Sequence, residues 1–288
     1  MEITLSRFAG FCGGVKRAYD MVAGLDMSKT AAPIFILGSL VHNDDVMRKI
    51  EEKGIRKISP DDFISGQYGN IGTLIVSAHG VGPDIYSLAE ERGIAIIDTT
   101  CPKVVQVQNL SSLHSKNGSQ VVIIGDKNHK EVKGIFECGG KRGILVSDRD
   151  DLSRLDLDPD RKIVIISQTT QNKDFFDEAS RIIVERYPQA EIKNTICLAT
   201  ENRQAEARKM SEENDVMIII GSPDSANSTR LYEISKSLNQ KSYFIERAAD
   251  IDLGWFEGAS SVGISAGAST PSWIIDEVMK KIGTLSAN

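Results

Sequence analysis

Residues 101–129 of the chain read CPKVVQVQNLSSLHSKNGSQVVIIGDKNH and contain a pattern that occurs three times. The stretch begins with a cysteine, continues through a helix-like segment and an apolar run that ends in glycine, and closes on a histidine. The other two copies begin at Cys12 and Cys197, 89 residues earlier and 96 residues later, and contain the apolar runs FILG and IIIG. Self-similarity at a nearly fixed period indicates repeated structural units.

Each copy contains a second apolar run, which ends in serine in the sequences IVSAHG, IISQTT and GISAGAS. Polar residues follow both runs of every copy: His42 and His79, then His129 and Thr169, then Asn227 and Ser269. Short β-branched runs that alternate with longer amphipathic stretches are typical of α/β proteins with mainly parallel strands. In open α/β sheets, ligands bind beyond the carboxyl ends of the strands, so we expect these polar side chains to line a binding site.

The repeat predicts three similar small α/β lobes, arranged with pseudo-threefold symmetry around a central cavity. The boundaries fall at the cysteines and give lobes at 1–100, 101–196 and 197–288. Lobes of this size bury proportionally little surface, so we expect them to share a core. The pattern predicts eight helices and eight strands, the strands being Ile34–Leu37, Thr73–Ser77, Ala95–Asp98, Gln120–Gly125, Lys162–Ser167, Val216–Gly221, Ser242–Ile245 and Ser261–Ser265.

The composition is that of an ordinary soluble globular protein, with 41% apolar and 26% charged residues. With 34 basic and 40 acidic residues the net charge is −6, which argues against a nucleic-acid binder with a dominant basic surface. No apolar stretch approaches the roughly 20 residues that a membrane helix needs, and MEITLSRFAG lacks the features of a secretory signal. We therefore expect a cytoplasmic protein that binds neither membranes nor nucleic acids.

Three of the four cysteines share the register of the repeat, and each precedes a helix-like segment. A thiol at a helix N-terminus lies near unsatisfied N–H groups, which favour the thiolate that binds metals. Structural zinc sites usually contain local C-x-x-C pairs, which this chain lacks, whereas three thiolates suit an iron–sulfur cubane with one iron left open to a substrate. We predict that Cys12, Cys101 and Cys197 bind metal and that Cys138, outside the register, is a free thiol.

The polar residues of the repeat are suited to binding an anion. Histidines can donate hydrogen bonds to anionic oxygens, and the third copy offers Ser225, Asn227 and Ser269 at turns that open helices, where main-chain N–H groups also lack partners. The chain has neither a P-loop nor a G-x-G-x-x-G motif after a strand. We therefore expect a diphosphate ligand, with no nucleotide hydrolysis and no dinucleotide cofactor.

Glu131 follows His129 by two residues in the sequence HKEVKG. A carboxyl group in a metal-lined pocket is a candidate proton donor or relay, and Thr169 could hydrogen-bond to that carboxyl group or to a substrate hydroxyl. The same residues would also suit a surface glutamate on a charged turn and an ordinary hydroxyl at a strand end. The sequence pattern leaves both interpretations open.

The chain resembles the 4-hydroxy-3-methylbut-2-enyl diphosphate reductases, the family that catalyses the last step of the non-mevalonate isoprenoid pathway. The stretches that carry the resemblance are GFCGGVKRA, VHND, SAHGV, DTTCP, GDKNHKEVKG, SQTT, ICLATENRQ, SANSTRL and GISAGAS. They run in order from residue 10 into the last lobe, so the resemblance covers almost the whole chain. Motifs this numerous and this ordered are highly specific.

The resemblance implies three α/β lobes around one 4Fe–4S cluster, held by Cys12, Cys101 and Cys197 with one iron left for the substrate alcohol. It implies a substrate diphosphate surrounded by polar residues of all three lobes: His42, His79, His129, Ser225, Asn227 and Ser269. Glu131 would deliver the proton, with Thr169 and His129 assisting and in contact with the substrate. Two electrons and two protons would remove water and give isopentenyl and dimethylallyl diphosphates.

One position departs from the family pattern. Ala226 lies between Ser225 and Asn227, where the family often has a second serine. One hydroxyl to the phosphate is therefore missing, although the main-chain N–H of Ala226 could still donate and makes it a candidate ligand. We expect somewhat weaker diphosphate binding and no loss of activity.

The chain contains no flavin or nicotinamide motif, so the electrons would come from a separate carrier of the ferredoxin or flavodoxin type. Two other functions stay open. A non-redox iron–sulfur hydro-lyase would also use an open iron, and it would turn over without a reductant. A non-catalytic iron–sulfur sensor or a zinc-stabilised binding protein would use the cysteines for structure alone, and the zinc protein would be colourless.

Overall fold

The computed structural model describes residues 1–285, in which short strands alternate with helices. The strands are β1 (Glu2–Leu5), β2 (Ile34–Leu37), β3 (Arg56–Ile58), β4 (Thr73–Val76), β5 (Ala95–Asp98), β6 (Gln120–Ile124), β7 (Ile144–Val146), β8 (Ile163–Ser167), β9 (Glu191–Ile192), β10 (Val216–Ile220), β11 (Ser242–Ile245) and β12 (Ser261–Ala266). The α-helices are α1 (Gly13–Ala23), α2 (Asp44–Glu51), α3 (Pro60–Ser65), α4 (Pro83–Glu91), α5 (Pro102–Lys116), α6 (Lys130–Cys138), α7 (Arg149–Ser153), α8 (Lys173–Arg186), α9 (Leu198–Glu213), α10 (Ala226–Leu238) and α11 (Ser272–Leu285). In the part of the chain that the structure describes, no helix combines the length and the apolar character that a bilayer-spanning segment requires.

The strands of residues 1–285 pair in parallel and form three four-stranded sheets. Their orders are β3-β2-β4-β5, β7-β6-β8-β9 and β11-β10-β12-β1. The three orders are the same. Strands β2, β6 and β10 each begin a repeat and lie between the second and third strands of that repeat. The fourth strand lies at the edge of the sheet and is β5, β9 or, in the third sheet, β1. The predicted α/β class with mainly parallel sheets is confirmed, and the pseudo-threefold arrangement of the lobes stays a prediction.

The fourth strand of each sheet precedes one of the repeat cysteines. Cys101 follows β5, Cys197 follows β9, and Cys12 follows β1 at the start of the chain. Residues Glu2–Leu5 of β1 pair with Ser261–Ile264 of β12, so this strand belongs to the sheet of the predicted third lobe, whereas the predicted boundary at residue 100 placed it in the first. The partner of an edge strand is chosen by tertiary contacts, and no local pattern in residues 2–5 encodes it.

The chain divides into two compact units. One unit consists of Met1–Val15, His42–Val46 and the described residues from Cys197 onward, and it contains the sheet β11-β10-β12-β1. The other unit consists of Lys16–Val41 and Met47–Ile196, and it contains the other two sheets. Most of the first two predicted lobes therefore lies in one compact unit. The lobe boundaries and the shared core stay predictions.

The unbroken apolar runs of the repeat form central strands that are covered on both faces. In β6, Val122 and Ile124 pack in a cluster with Phe176 of α8, whereas Ile123 packs in another cluster with Ile135 of α6. Successive side chains of a strand point to opposite faces of the sheet. A strand with helices on both faces therefore needs apolar residues at every position, which explains the sequence VVII. A half-exposed strand would instead alternate apolar and polar residues.

The glycine that ends the first apolar run of a repeat lets a helix pack against the end of the strand. A Cβ on Gly125 would lie 2.7 Å from Val132 Cγ2 of α6, and a Cβ on Gly221 would lie 2.2 Å from Ser228 Oγ of α10. A larger residue would push either helix away from its strand. His129 is the N-cap residue of α6 and Ala226 is the first residue of α10, so these two glycines help to position predicted site residues.

Helix α6 lies outside the eight helices that the sequence pattern predicts. Gly134 stands in the middle of this helix, and glycine is unfavourable in helix interiors. A Cβ at Gly134 would lie 3.0 Å from Gln108 Nε2 of α5, so glycine allows the two helices to approach closely. Tertiary packing therefore stabilises a helix that local propensity disfavours.

Candidate active site

Each of the three repeat cysteines lies directly before a helix, as predicted. Cys101 and Cys197 are the N-cap residues of α5 and α9. Cys12 precedes α1, and its sulfur accepts a hydrogen bond from Val15 N at 3.4 Å. None of the three forms a disulfide in residues 1–285, and all three are partly buried. Because each cysteine lies at the start of a helix, its sulfur lies beside main-chain N–H groups that have no partner within the helix.

The main chain next to Cys101 is held by hydrogen bonds. Cys101 N donates to Ala78 O at 3.0 Å. Arg17 of α1 donates from Nη1 to Thr99 O at 3.5 Å and to Thr100 O at 3.2 Å, which are the two carbonyls directly before the cysteine. Arg17 lies in the motif GFCGGVKRA, but its role as an anchor is visible only in the tertiary structure.

Glu131 is a buried carboxyl group in the first turn of α6. It is 2% exposed, and both of its oxygens accept hydrogen bonds from Thr169: Oε1 from the main-chain N–H at 2.6 Å, and Oε2 from the hydroxyl group at 3.0 Å. Burial raises the pKa of Glu131 to about 7, against the lowering effect of the two bonds from Thr169. Both the protonated and the ionised form are therefore accessible at neutral pH. The alternative interpretation as a surface glutamate is wrong.

His129 is the N-cap residue of α6. Its Nδ1 accepts a hydrogen bond from Glu131 N at 3.1 Å, and this assignment places the proton of the neutral ring on Nε2. Burial, opposed by Asp126 and assisted by Lys130, lowers the pKa of His129 to about 4. His129 is therefore neutral at pH 7 and offers a single N–H donor from its ring.

His79 follows β4 and lies beside His129. The two ring centroids are 5.4 Å apart, with the rings edge to face at 82°. His79 Nδ1 lies 3.4 Å from Ser77 Oγ. The structure thus brings together His79, His129, Glu131 and Thr169. His79, His129 and Thr169 follow central strands of their sheets, as the repeat predicted, and Glu131 lies in the first turn of α6.

Four predicted phosphate ligands lie at the start of α10 and just after β12. Ser225 caps α10, and its Oγ accepts hydrogen bonds from Ser228 N at 3.4 Å and from Ser269 Oγ at 3.3 Å. Ala226 begins the helix, where main-chain N–H groups have no partner within the helix. Asn227 is 4% exposed, and its Nδ2 makes no hydrogen bond with any of residues 1–285. An unsatisfied buried donor is costly, so this amide is suited to an oxygen of a ligand.

His42 lies in the loop between β2 and α2 and is half-buried. The next residue, Asn43, accepts a hydrogen bond from Val46 N at 3.0 Å in the first turn of α2. The sequence VHND therefore combines a helix-capping residue with a candidate ligand. His42, like the other predicted ligands, follows a central strand.

Cys138 is the last residue of α6 and a free, half-buried thiol, as predicted. Burial, together with the charge of Glu137, raises the pKa of Cys138 to about 11. Its thiolate is therefore scarce at neutral pH, and Cys138 is a poor metal ligand and a poor nucleophile.

Sequence reasoning missed Arg203, although it lies in the motif ICLATENRQ. Its side chain is 4% exposed, and it interacts electrostatically with Cys12 and Cys197. Arginine is rarely buried, and its position six residues after a repeat cysteine was the available signal. Burial itself could not be inferred from sequence, because α9 has a weakly amphipathic sequence.

The thiols fit an iron–sulfur cluster. Each lies at a helix N-terminus, and the buried guanidinium of Arg203 interacts electrostatically with Cys12 and Cys197. A positive charge in a protein interior requires a negative partner nearby. Glu206 supplies part of that charge, and thiolates together with an anionic cluster would add to it.

The chain matches the LytB protein family over residues 3–283. The 4-hydroxy-3-methylbut-2-enyl diphosphate reductase of Pelobacter propionicus is 38% identical to it over 289 residues, which cover 99% of each chain. The protein of the same name from Aquifex aeolicus is 38% identical, over 98% of this chain and 96% of that one. The similarity therefore extends over the whole length of these relatives.

Solved structures show the same likeness. The E-1-hydroxy-2-methyl-but-2-enyl-4-diphosphate reductase from Plasmodium falciparum matches with a TM-score of 0.90 and 29% identity, over 99% of this chain and 88% of that chain. A structure of (E)-4-hydroxy-3-methyl-but-2-enyl diphosphate reductase matches with a TM-score of 0.68 and 35% identity, over 99% of this chain and all of that one.

Proposed function

We propose, because this chain belongs to the LytB protein family, that it reduces (E)-4-hydroxy-3-methylbut-2-enyl diphosphate to isopentenyl and dimethylallyl diphosphates. The reaction consumes two electrons and two protons. The allylic C–O bond breaks, one proton leaves with the hydroxyl group as water, and the other adds to carbon. Full-length identity of 38% to two relatives named for this substrate supports the assignment.

Cys12, Cys101 and Cys197 would hold one 4Fe–4S cluster with one iron open to the substrate. When bound, the cluster supplies the electrons and a Lewis-acidic iron. The contribution of the chain is to present three sulfur ligands at helix N-termini, where the positive end of the helix dipole suits a bound anionic group. The buried charge of Arg203 beside Cys12 and Cys197 supports this assignment.

The diphosphate is bound by neutral donors. A net charge of −6 means that the overall field of the protein repels an anion, so local groups must attract it. Asn227 is the best supported of them, because its buried Nδ2 has no partner among residues 1–285. The full set of ligands is His42, His79, His129, Thr169, Ser225, Ala226 through its main chain, Asn227 and Ser269.

Glu131 donates the proton. Its pKa of about 7 allows it both to give up a proton and to regain one near neutral pH. Thr169 holds both carboxyl oxygens, so the acid is oriented before the substrate arrives. His129, neutral and fixed at the start of the same helix, adds an N–H donor. This buried acid, hydrogen-bonded to Thr169 through its carboxyl group and to His129 through its main-chain N–H, is the strongest support for a catalytic site.

The electrons come from a separate protein of the ferredoxin or flavodoxin type, because the chain has no flavin or nicotinamide motif. The cytoplasmic location expected from the sequence stays a prediction. Neither inference affects the chemistry of the site.

Anaerobic purification, followed by spectroscopy and turnover assays with a chemical reductant, tests the proposal. We expect a brown protein with a cluster spectrum that changes when the hydroxy diphosphate is added. Glu131→Gln should keep that spectral change and lose turnover by about 10²–10⁴-fold, since glutamine cannot donate the proton. Glu137→Gln is the matched control, because Glu137 lies in the same helix at its far end and should retain activity.

Three results would contradict the proposal. A colourless protein with zinc would indicate a structural metal site. Turnover of the hydroxy diphosphate to a non-reduced product, with loss of water and without any reductant, would indicate a hydro-lyase. A cluster spectrum that stays the same on adding substrate would argue against binding of the alcohol at iron.

A further inference from the structure

Arg203 is a buried cation, and the sequence pattern predicts no role for it at the site. Its side chain donates two hydrogen bonds to main-chain carbonyls, from Nη1 to Ala199 O at 2.9 Å and from Nη2 to Gly10 O at 2.7 Å. Ala199 follows Cys197 by two residues, and Gly10 precedes Cys12 by two residues. One guanidinium group therefore connects the segments that carry two of the three repeat cysteines.

A buried arginine usually has a carboxylate as its partner. The surroundings of Arg203 also contain the thiols of Cys12 and Cys197. Burial lowers the pKa of Arg203, while the charges of Cys12 and Cys197, followed by Glu206, raise it. Glu206 makes its own hydrogen bonds with the loop at residues 6–8. Arg203 Nε has no hydrogen-bond partner among residues 1–285. Because a buried charge is costly without a partner, thiolates and the group they bind are the natural counter-charge.

The loop that Arg203 holds is closely packed. Gly10 has a φ of +93°, a conformation that other residues rarely adopt, and a Cβ there would lie 3.1 Å from Ile275 Cδ1 and 3.4 Å from Thr270 O. This conformation presents the Gly10 carbonyl to Arg203. The bond to Arg203 therefore depends on a backbone that glycine alone permits.

We propose that Arg203 is a positioning residue for the cluster, which fixes Cys12 and Cys197 through their flanking carbonyls and favours the reduced state by its positive charge. The inference rests on the proposed function, since it takes these cysteines to be cluster ligands. A positive charge beside a cluster stabilises the added electron and so raises the reduction potential. Lysine would keep the charge, but it lacks the planar fork that reaches two carbonyls at once.

The test compares anaerobically purified, cluster-loaded variants by two measurements: the midpoint potential of the cluster and the rate of iron release to a chelator. Arg203→Met should have a more negative potential and release iron about tenfold faster, because two charge-assisted hydrogen bonds are lost. Arg203→Lys should keep a potential close to that of the wild type and release iron at an intermediate rate. Glu206→Gln, which removes a negative charge from the same helix, should not lower the potential.

Wild-type potential and wild-type iron release in Arg203→Met would overturn the proposal. Equal potentials in the Met and Lys variants would overturn the role of the charge. If Arg203→Met does not fold, Arg203→Lys tests the positioning role. Iron release from Arg203→Lys at the wild-type rate would then refute that role. A wild-type protein without iron and sulfide would refute the proposed function itself, whereas a loaded, active wild type with unaltered Arg203 variants would refute only this inference.

Discussion

Replacing Thr169 by valine should shift the pH dependence of the reaction upward. The Thr169 hydroxyl donates to Glu131 Oε2 at 3.0 Å, and the main-chain N–H donates to Oε1 at 2.6 Å. Valine has nearly the same shape and keeps the main-chain bond, so only the hydroxyl bond is lost. That bond favours the carboxylate, and its loss therefore raises the pKa of Glu131 further above its ordinary value.

The size of the shift follows from the energy of the lost bond. A hydrogen bond to a charged group contributes about 1.5–3 kcal/mol, and one pKa unit corresponds to about 1.4 kcal/mol. The pKa of Glu131, about 7 in the wild type, should therefore rise by about 1–2 units. A proton donor acts in its protonated form, so kcat/KM falls as the pH rises through this pKa. The descending limb should move from about pH 7 to about pH 8–9.

The assay is kcat/KM for reduction of the hydroxy diphosphate, measured anaerobically across the alkaline limb with a chemical reductant in fixed excess. Thr170→Val is the matched control, because the Thr170 hydroxyl accepts from Gln168 Nε2 at 2.9 Å and forms no hydrogen bond with Glu131. Its limb should stay in place. An unshifted limb in Thr169→Val, or an equal shift in Thr170→Val, would refute the assignment of Glu131 as the acid.

Three other substitutions have expected outcomes. Because the folded state raises the pKa of Glu131 from 4.5 to about 7, the stability of the protein falls as the pH rises through that window. Glu131→Gln should therefore raise the unfolding free energy by up to about 3 kcal/mol above pH 7 and leave it unchanged at pH 4. Thermal unfolding that shows a gain in stability only in acid would contradict this prediction. Ala226→Ser adds a hydroxyl to the phosphate site and should tighten substrate binding by about 2- to 10-fold in calorimetry; an unchanged affinity would show that the hydroxyl is dispensable. Cys138→Ser should retain the iron that Cys101→Ser loses, because the pKa of the Cys138 thiol is about 11; equal iron loss in both variants would contradict the ligand assignment.

The eight strands predicted from the sequence are all present, each within one residue at either end. Apolar runs such as VVII are local signals, and the helices that cover both faces of the sheet explain them physically. Elements without such a signal were not predicted. The three-residue strand Arg56–Ile58 is too short for a periodic pattern, and α6 is interrupted by Gly134.

The candidate site was predicted as a set of residue types, and the structure supplied their chemical state. The spacing of the repeat placed His79, His129 and Thr169 at strand ends, and the structure confirms this. The spacing of the repeat could not show that Glu131 is buried or that Thr169 donates hydrogen bonds to both carboxyl oxygens of Glu131. A pKa depends on desolvation, and desolvation depends on what packs around the group.

The sequence by itself determined that the chain contains three copies of one α/β pattern and that a cysteine precedes a helix in each, because periodicity and helix starts are properties of neighbouring residues. Tertiary structure alone decided that β1 completes the sheet of β12, and that Arg203 reaches the carbonyl of Gly10. It also decided that Glu131 is buried, which raises its pKa to about 7. These features depend on residues far apart in the chain, whose contacts form only when the sheets and helices pack.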